Sequence, residues 1–137
     1  MITPKRKLGN KGEDIACDFL IKNGFRIIGR NISNKLGEID VLAQRDRILH
    51  FIEVKTGSAS DKINPSENLN YHKIRKFLRA VEIHISNNKI SEQQRWQMDA
   101  IVVVFDSAGN PRTERAEQSS YDGLPPKITH LQNINIQ

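Results

Sequence analysis

Apolar positions along this chain recur with two different periods. From residue 8 to 24, Leu8, Ile15, Ala16, Phe19 and Leu20 return at helical spacing on one face. Lys11, Asp14, Asp18 and Lys22 fall on the opposite face. Asn10 is a candidate N-cap and Gly24 a candidate stop. Glu13 lands beside Leu20, at the margin of the buried stripe, so its carboxylate can reach across the first turn toward whatever the helix covers. Three short runs rich in Ile, Val and Phe follow, at 25–32, 37–44 and 48–55, separated by the turn-like N-K-L-G and R-D-R stretches. They predict three successive antiparallel strands. After a polar stretch at 56–66 containing Pro65, the stripe Ile74, Phe77, Leu78, Val81 and Ile85 predicts a second helix, with Ser66 or Asn70 as its cap. M-D-A-I-V-V-V-F (98–105) reads as a strand buried on both faces. Residues 107–127, with Gly109, Pro111, Gly123, Pro125 and Pro126, read as a long loop. Residues 127–136 alternate and predict an edge strand. The order α-β-β-β-α-β, with one further β, predicts an α/β fold: a mixed central sheet flanked by helices. At 137 residues one domain is expected, its core at about 8–105.

Composition narrows the classes. The chain is 37% apolar and 27% charged, a globular rather than a disordered profile. No apolar run approaches the ~20 residues that span a bilayer, so no membrane association is expected. The basic residues of M-I-T-P-K-R-K are followed by no apolar stretch, unlike a secretory signal. A single cysteine, Cys17, rules out an internal disulfide and a multi-cysteine zinc site, and the default location is the cytoplasm. The net charge of +5 is unevenly distributed. Residues 1–90 hold 17 basic and 10 acidic side chains, whereas residues 91–137 hold 4 and 6. The densest stretch, 70–79, contains Lys73, Arg75, Lys76 and Arg79 with no acid. It reads either as a solvated helix face or as a set of phosphate contacts.

The candidate chemistry lies in Asp40, Glu53 and Lys55. Strand residues two apart share a face, so Glu53 projects with Lys55 and Asp40 with Glu38. If Asp46-Arg47 turn the hairpin, Leu42 faces Phe51, Asp40 faces Glu53 and Glu38 faces Lys55. Opposed side chains have Cβ atoms ~5 Å apart. Two carboxylates at that distance repel unless a cation lies between them, and hard divalent ions take oxygen ligands of this kind. Held by Asp40 and Glu53, such an ion would coordinate a phosphate oxygen and lower the pKa of a bound water. Lys55 would orient that water or neutralise charge on the phosphate, and Glu13 would supply a further carboxylate. The bland alternative is an exposed Glu53–Lys55 ion pair with Asp40 on an open face.

No phosphate-binding glycine loop or serine nucleophile elbow occurs. His50, His72, His84 and His130 show no ligand spacing and read as surface or packing residues. Cys17 reads as structural, Trp96 as core or rim rather than a base-stacking platform, and Tyr71, beside the basic helix, as packing at a helix start, with stacking on a base as its alternative.

G-x-x-G-E (9–13), R-N (30–31), G-E-I-D (37–40), F-I-E-V-K (51–55), Lys73 with Ala80 downstream, and M-D-A-I-V (98–102) occur together in this order. The combination resembles the YraN-like family of uncharacterised bacterial proteins, from about residue 8 to 105 and weakly over H-L-Q-N (130–133). That resemblance implies a restriction-endonuclease-like fold, similar to archaeal Holliday-junction resolvases. It also implies Mg²⁺ or Mn²⁺ as cofactor and DNA, branched or duplex, as partner. Carried over, Asp40 matches the acidic metal ligand, Glu53 and Lys55 the E-x-K half of the nuclease motif, and Glu13 the helix-one glutamate. Lys73 matches a family position and leads the nucleic-acid contacts, with Arg75, Lys76, Arg79 and Arg30 beside it. The expected activity is metal-dependent hydrolysis of DNA phosphodiesters. Gly57 stands where the family usually carries arginine, which keeps a catalytically weak nucleic-acid-binding module as the alternative. A protein-interaction domain, docking through the acidic C-terminal third or through 127–136, is the third reading. A homodimer would match the two-fold symmetry of duplex DNA.

Overall fold

A computed structural model describes residues 4–58, 70–105 and 126–134. The first helix, α1 (Pro4–Lys22), begins four residues before the expected Leu8. Proline fits the first helical position, where its missing N–H is not needed, and Lys5, Arg6 and Lys7 are good helix formers. Their polarity hides this turn from an apolar pattern. Asn10 therefore lies inside α1 and caps nothing. The other end closes as expected. Gly24 takes φ +86°, its N–H bonds Ile21 O at 3.1 Å, and the Phe25 N–H bonds Leu20 O at 3.0 Å. This pair of bonds is the Schellman closure that glycine permits.

The strands are β1 (Arg26–Asn34), β2 (Gly37–Arg45), β3 (Ile48–Ser58), β4 (Arg95–Phe105) and β5 (Lys127–Leu131). They form one sheet in the order β1-β2-β3-β4-β5. The first three are antiparallel neighbours, as the sequence predicts. The second helix, α2 (Tyr71–Asn87), carries the chain from β3 to a parallel β4, and β5 adds antiparallel at the edge. Asn70 is the α2 cap, its side chain accepting from the Lys73 N–H at 3.0 Å. Ser66, Pro65 and the loop expected over 107–127, as far as residue 125, lie outside the described residues. The edge strand stops at Leu131 rather than reaching 136. Asn133 turns to φ +57°, and its N–H, like that of Ile134, bonds to β4 at Asp99 and Met98.

One helix covers each face of the sheet. Ile15, Ala16, Cys17 and Leu20 of α1 pack on Val41, Ala43, Ile52, Ile101 and Val103. Phe77 and Val81 of α2 pack on Ile39, Leu42, Phe51 and Met98. The run from Met98 to Val103 is buried throughout, as its apolar continuity predicts. This mixed α/β arrangement, a five-stranded sheet between two helices, fits the restriction-endonuclease-like core expected from the motifs. Among the described residues, no helix is long and apolar enough to cross a membrane.

Candidate active site

The hairpin β2–β3 adopts the predicted register near its turn, where Arg45 faces Ile48, Leu42 faces Phe51 and Val41 faces Ile52, but not the predicted facing of Asp40 with Glu53 and of Glu38 with Lys55. The ladder stops there, one step before Asp40 and Glu53, so these two carboxylates are not a ladder pair. Beyond this point β2 breaks its alternation. Ile39 joins the core under α2 whereas Val41 joins the core under α1, although strand residues two apart normally share a face. On the neighbouring strand Asn31, between the paired Arg30 and Ile32, takes φ +52°. The β1–β2 pairing runs on past this level while the β2–β3 ladder has ended, so β2 and β3 part where Asp40 sits. Asp40 uses one oxygen, Oδ2, to accept the Val54 N–H at 2.8 Å. That bond ties it to β3 where the ladder has ended.

Glu13 arrives from α1. Gly12 makes this possible, because a Cβ there would overlap the Thr56 side chain of β3. The helix lies against the strand at the residue before Glu13, and the carboxylate meets Arg30 of β1 and Glu38 and Asp40 of β2. Glu13, Glu38 and Asp40 each offer an oxygen within 4.8 Å of the others. Asn31 binds two of them. With its amide NH₂ turned toward the carboxylates, it donates to both Glu13 oxygens at 3.2 Å and to Glu38 Oε1 at 3.0 Å. Glu38 was a strand-face neighbour of Asp40 in the G-E-I-D spacing, but only the folded chain shows that it joins the cluster. Asn31 had no signal in any apolar period; its role follows from the distorted backbone.

Crowded, half-buried carboxylates resist ionisation. Burial raises the Asp40 pKa from 3.8 to about 6; the Val54 N–H opposes this, and Glu13, Glu53 and Glu38 add to it. Burial also raises Glu13, against the nearby Arg30, while Glu38 pushes it further up.

Glu53 and Lys55 project together, as their spacing predicts, and form an ion pair with Nζ 3.0 Å from Oε1. Both line an open cleft of about 630 Å³ together with Glu38 and Asp40, and Lys73 and Lys76 of α2 form its opposite wall. Arg75 and Arg79 face a neighbouring groove. Arg30 is engaged by acid instead, with its guanidinium 2.8 Å from Asp14 Oδ1 and 3.9 Å from Glu13 Oε2. Gly57, where the resemblance leads to the expectation of an arginine, is buried and pairs with Val104 of β4.

A second polar cluster lies under α1. Asp99 is fully buried, and its Oδ2 meets His50 Nδ1 at 2.6 Å and His130 Nε2 at 2.9 Å. Its Oδ1 accepts from Gln97 at 2.8 Å and from the Asn133 N–H at 3.0 Å. Burial alone would raise the Asp99 pKa, but the bonds from His130, His50, Asn133 and Gln97 outweigh it and hold the carboxyl well below the usual range. Phe25 packs edge-on against His50 with ring centres 4.8 Å apart. The packing role expected for His50 and His130 is thus met through a carboxylate. Three strands far apart in sequence supply these residues, so no local spacing announces them.

Residues 12–103 match the uncharacterised protein family UPF0102. The chain belongs to this family. It is the YraN-like family that the motifs resemble. A UPF0102 protein of Campylobacter jejuni subsp. jejuni serotype O:23/36 is 44% identical over 98 residues, covering 72% of this chain and 84% of the relative. A UPF0102 protein of Helicobacter hepaticus is 38% identical over the same length and coverage. One of a Sulfurovum species is 41% identical over 96 residues, 69% of this chain and 81% of the relative. The matched span, 12–103, holds Glu13 and Asn31 together with Glu38, Asp40, Glu53, Lys55, Lys73 and Lys76 of the cleft, so the carboxylate cluster and the cleft's charged lining fall within the UPF0102 region.

Proposed function

We propose that this UPF0102 protein is a metal-dependent DNA endonuclease that hydrolyses phosphodiester bonds in the cleft between β2–β3 and α2. The observation that carries this reading is the convergence of Glu13, Glu38 and Asp40 within 4.8 Å, beside an amine and beneath a lysine-bearing wall. Three carboxylate oxygens are the hard donor set that Mg²⁺ or Mn²⁺ takes, so the residues present fit the ion. Bound there, such an ion would supply Lewis-acid stabilisation of the phosphate and lower the pKa of a water. The protein's own groups do the rest. Asp40 is fixed by the Val54 N–H, which leaves its second oxygen for the ion. Asn31 holds Glu13 and Glu38 in place. Glu53 pairs with the Lys55 amine at the cleft, where the amine orients the attacking water or neutralises charge that develops on the phosphate. Lys73 and Lys76 hold the DNA backbone on the other side.

The test is cleavage of four-way junction, flap and linear DNA with Mg²⁺ or Mn²⁺, comparing wild type with Asp40→Asn and Lys55→Ala at matched purity. Loss of one to several orders of magnitude in rate is expected for both variants. Equal rates for wild type and Asp40→Asn would remove the enzymatic reading. A folded wild type that binds DNA with the same affinity and salt dependence, yet cuts nothing with either ion, would favour the binding module instead.

A further inference from the structure

The cleft has a neighbour. A second groove of about 570 Å³ shares Lys35, Leu36 and Lys76 with it and continues along α2 past Tyr71, Arg75 and Arg79. Its lining includes no acidic residue. None of Lys35, Lys76, Arg75 and Arg79 forms an ion pair with a described residue. For Tyr71 the sequence favours packing at the helix start over stacking on a base, and the structure does not bury it. Tyr71 is 55% exposed and belongs to neither core. Its α2 position turns it outward, and its ring partners are polar: the Arg75 guanidinium 5.6 Å from the ring centre, one helical turn on, and His72 edge-on at 5.7 Å. Leu36, 42% exposed, lies on the facing turn of the β1–β2 hairpin.

We infer that this groove binds single-stranded DNA, with Tyr71 as a stacking platform for an unpaired base and Arg75, Arg79 and Lys76 reading the phosphates. The inference rests on the reading of the adjoining cleft as the place of cutting. A nucleotide carries both groups that this surface complements, a flat base and an anionic phosphate. In a uniform duplex the base faces are stacked on one another and unavailable; in a single-stranded segment they are free, and every base can stack on an aromatic ring. Lys76 borders both grooves, so the strand that enters at Tyr71 leads directly to the carboxylates. The substrate class is therefore DNA with an unpaired stretch next to the bond that is cut, rather than continuous duplex.

The experiment measures binding by fluorescence anisotropy in EDTA, where no cutting occurs. The probes are a labelled single-stranded oligothymidine and a fully paired duplex. The proteins are wild type, Tyr71→Phe, Tyr71→Leu and Tyr71→Ala. Tyr71→Phe keeps a ring and is expected to bind the single strand within about two-fold of wild type. Tyr71→Leu keeps bulk but not the ring, and with Tyr71→Ala should bind it roughly ten-fold or more weakly. Duplex binding should change by less than two-fold in all three. Arg75→Gln should weaken both probes and lower the salt dependence. Single-strand binding by Tyr71→Leu equal to wild type, or equal losses on both probes, overturns the inference. If Tyr71→Ala does not fold, the comparison of Phe with Leu decides alone. The two readings fail separately. Cleavage that Asp40→Asn does not affect removes the cutting site but leaves the stacking result intact; unchanged binding by the Tyr71 variants does the reverse.

Discussion

Asp40 is the residue on which the most chemistry converges. Its spacing from Glu53 and Lys55 marks it in the sequence, but the acids that cluster with it within 4.8 Å are Glu13 and Glu38, from another element and from its own strand. The reason is local. Pairing arithmetic assumes a ladder that runs on, and here it ends at Val41. The consequence is measurable. A carboxyl whose folded pKa rises from 3.8 to about 6 favours folding in its protonated form. Its contribution is present below about pH 3.8 and is lost as pH rises through 6. The difference corresponds to roughly 3 kcal/mol held against ionisation. Asp40→Asn removes that cost, so without divalent ions the variant should be more stable than wild type at pH 7.5, by about 1–3 kcal/mol in urea titrations. The gain should vanish near pH 4. Added Mg²⁺ or Mn²⁺ should stabilise wild type and not the variant, and ion affinity in wild type should fall as pH drops through 6. A variant no more stable than wild type at pH 7.5 would mean that the carboxylate is not strained there.

At the scale of elements, the apolar periods gave both helices, all five strands and the hairpin register. They missed what polar residues build: the first turn of α1, the break in β2 and the clamp around Asp99. Each of these depends on backbone geometry or on partners far apart in sequence. The packing of α1 on β3 tests one of them through a sign. Glycine to alanine inside a helix normally stabilises by ~1 kcal/mol. At Gly12 the new Cβ meets Thr56, so Gly12→Ala should instead destabilise by about 1–3 kcal/mol, and Thr56→Ala in the same chain should recover most of the loss. A stabilised Gly12→Ala would show that α1 does not seat on β3 at this point, and the placement of Glu13 would fall with it. The clamp is tested through β5. Asp99 draws His50, His130, Gln97 and the Asn133 N–H onto one carboxylate, which holds β5 and the turn after it to the centre of the sheet. Asp99→Ala strands two buried imidazoles and should cost about 3–5 kcal/mol in denaturant melts at pH 7. Because the Asp99 pKa is held down in the folded state, its contribution is full above the unfolded value and fades only as pH falls through the depressed one. Wild type should accordingly lose this clamp only in strong acid, seen as late exchange of the β5 amides in hydrogen-exchange measurements.

Across the whole molecule the charges are arranged in opposition. The net charge is +5 and α2 presents lysines and arginines, yet the floor of the cleft is a knot of carboxylates. A phosphate drawn in by the rim meets repulsion at the centre unless a cation is held there. DNA affinity and ion occupancy should therefore be coupled. Wild type should bind a four-way junction more weakly in EDTA than in Ca²⁺, an oxygen-seeking ion suited to the same carboxylates. A Glu38→Gln, Asp40→Asn chain, relieved of two negative charges, should bind equally in both conditions and at least as tightly as ion-loaded wild type. Removing Lys73 and Lys76 acts on the other arm. If each contacts one duplex phosphate, the slope of log affinity against log salt should fall by about 2 for the pair, with or without the ion. The two responses are separable because one concerns charge at the floor and the other charge at the wall. An EDTA-independent wild-type affinity would mean that DNA never approaches the carboxylates, and would place its binding on the outer face of α2 alone.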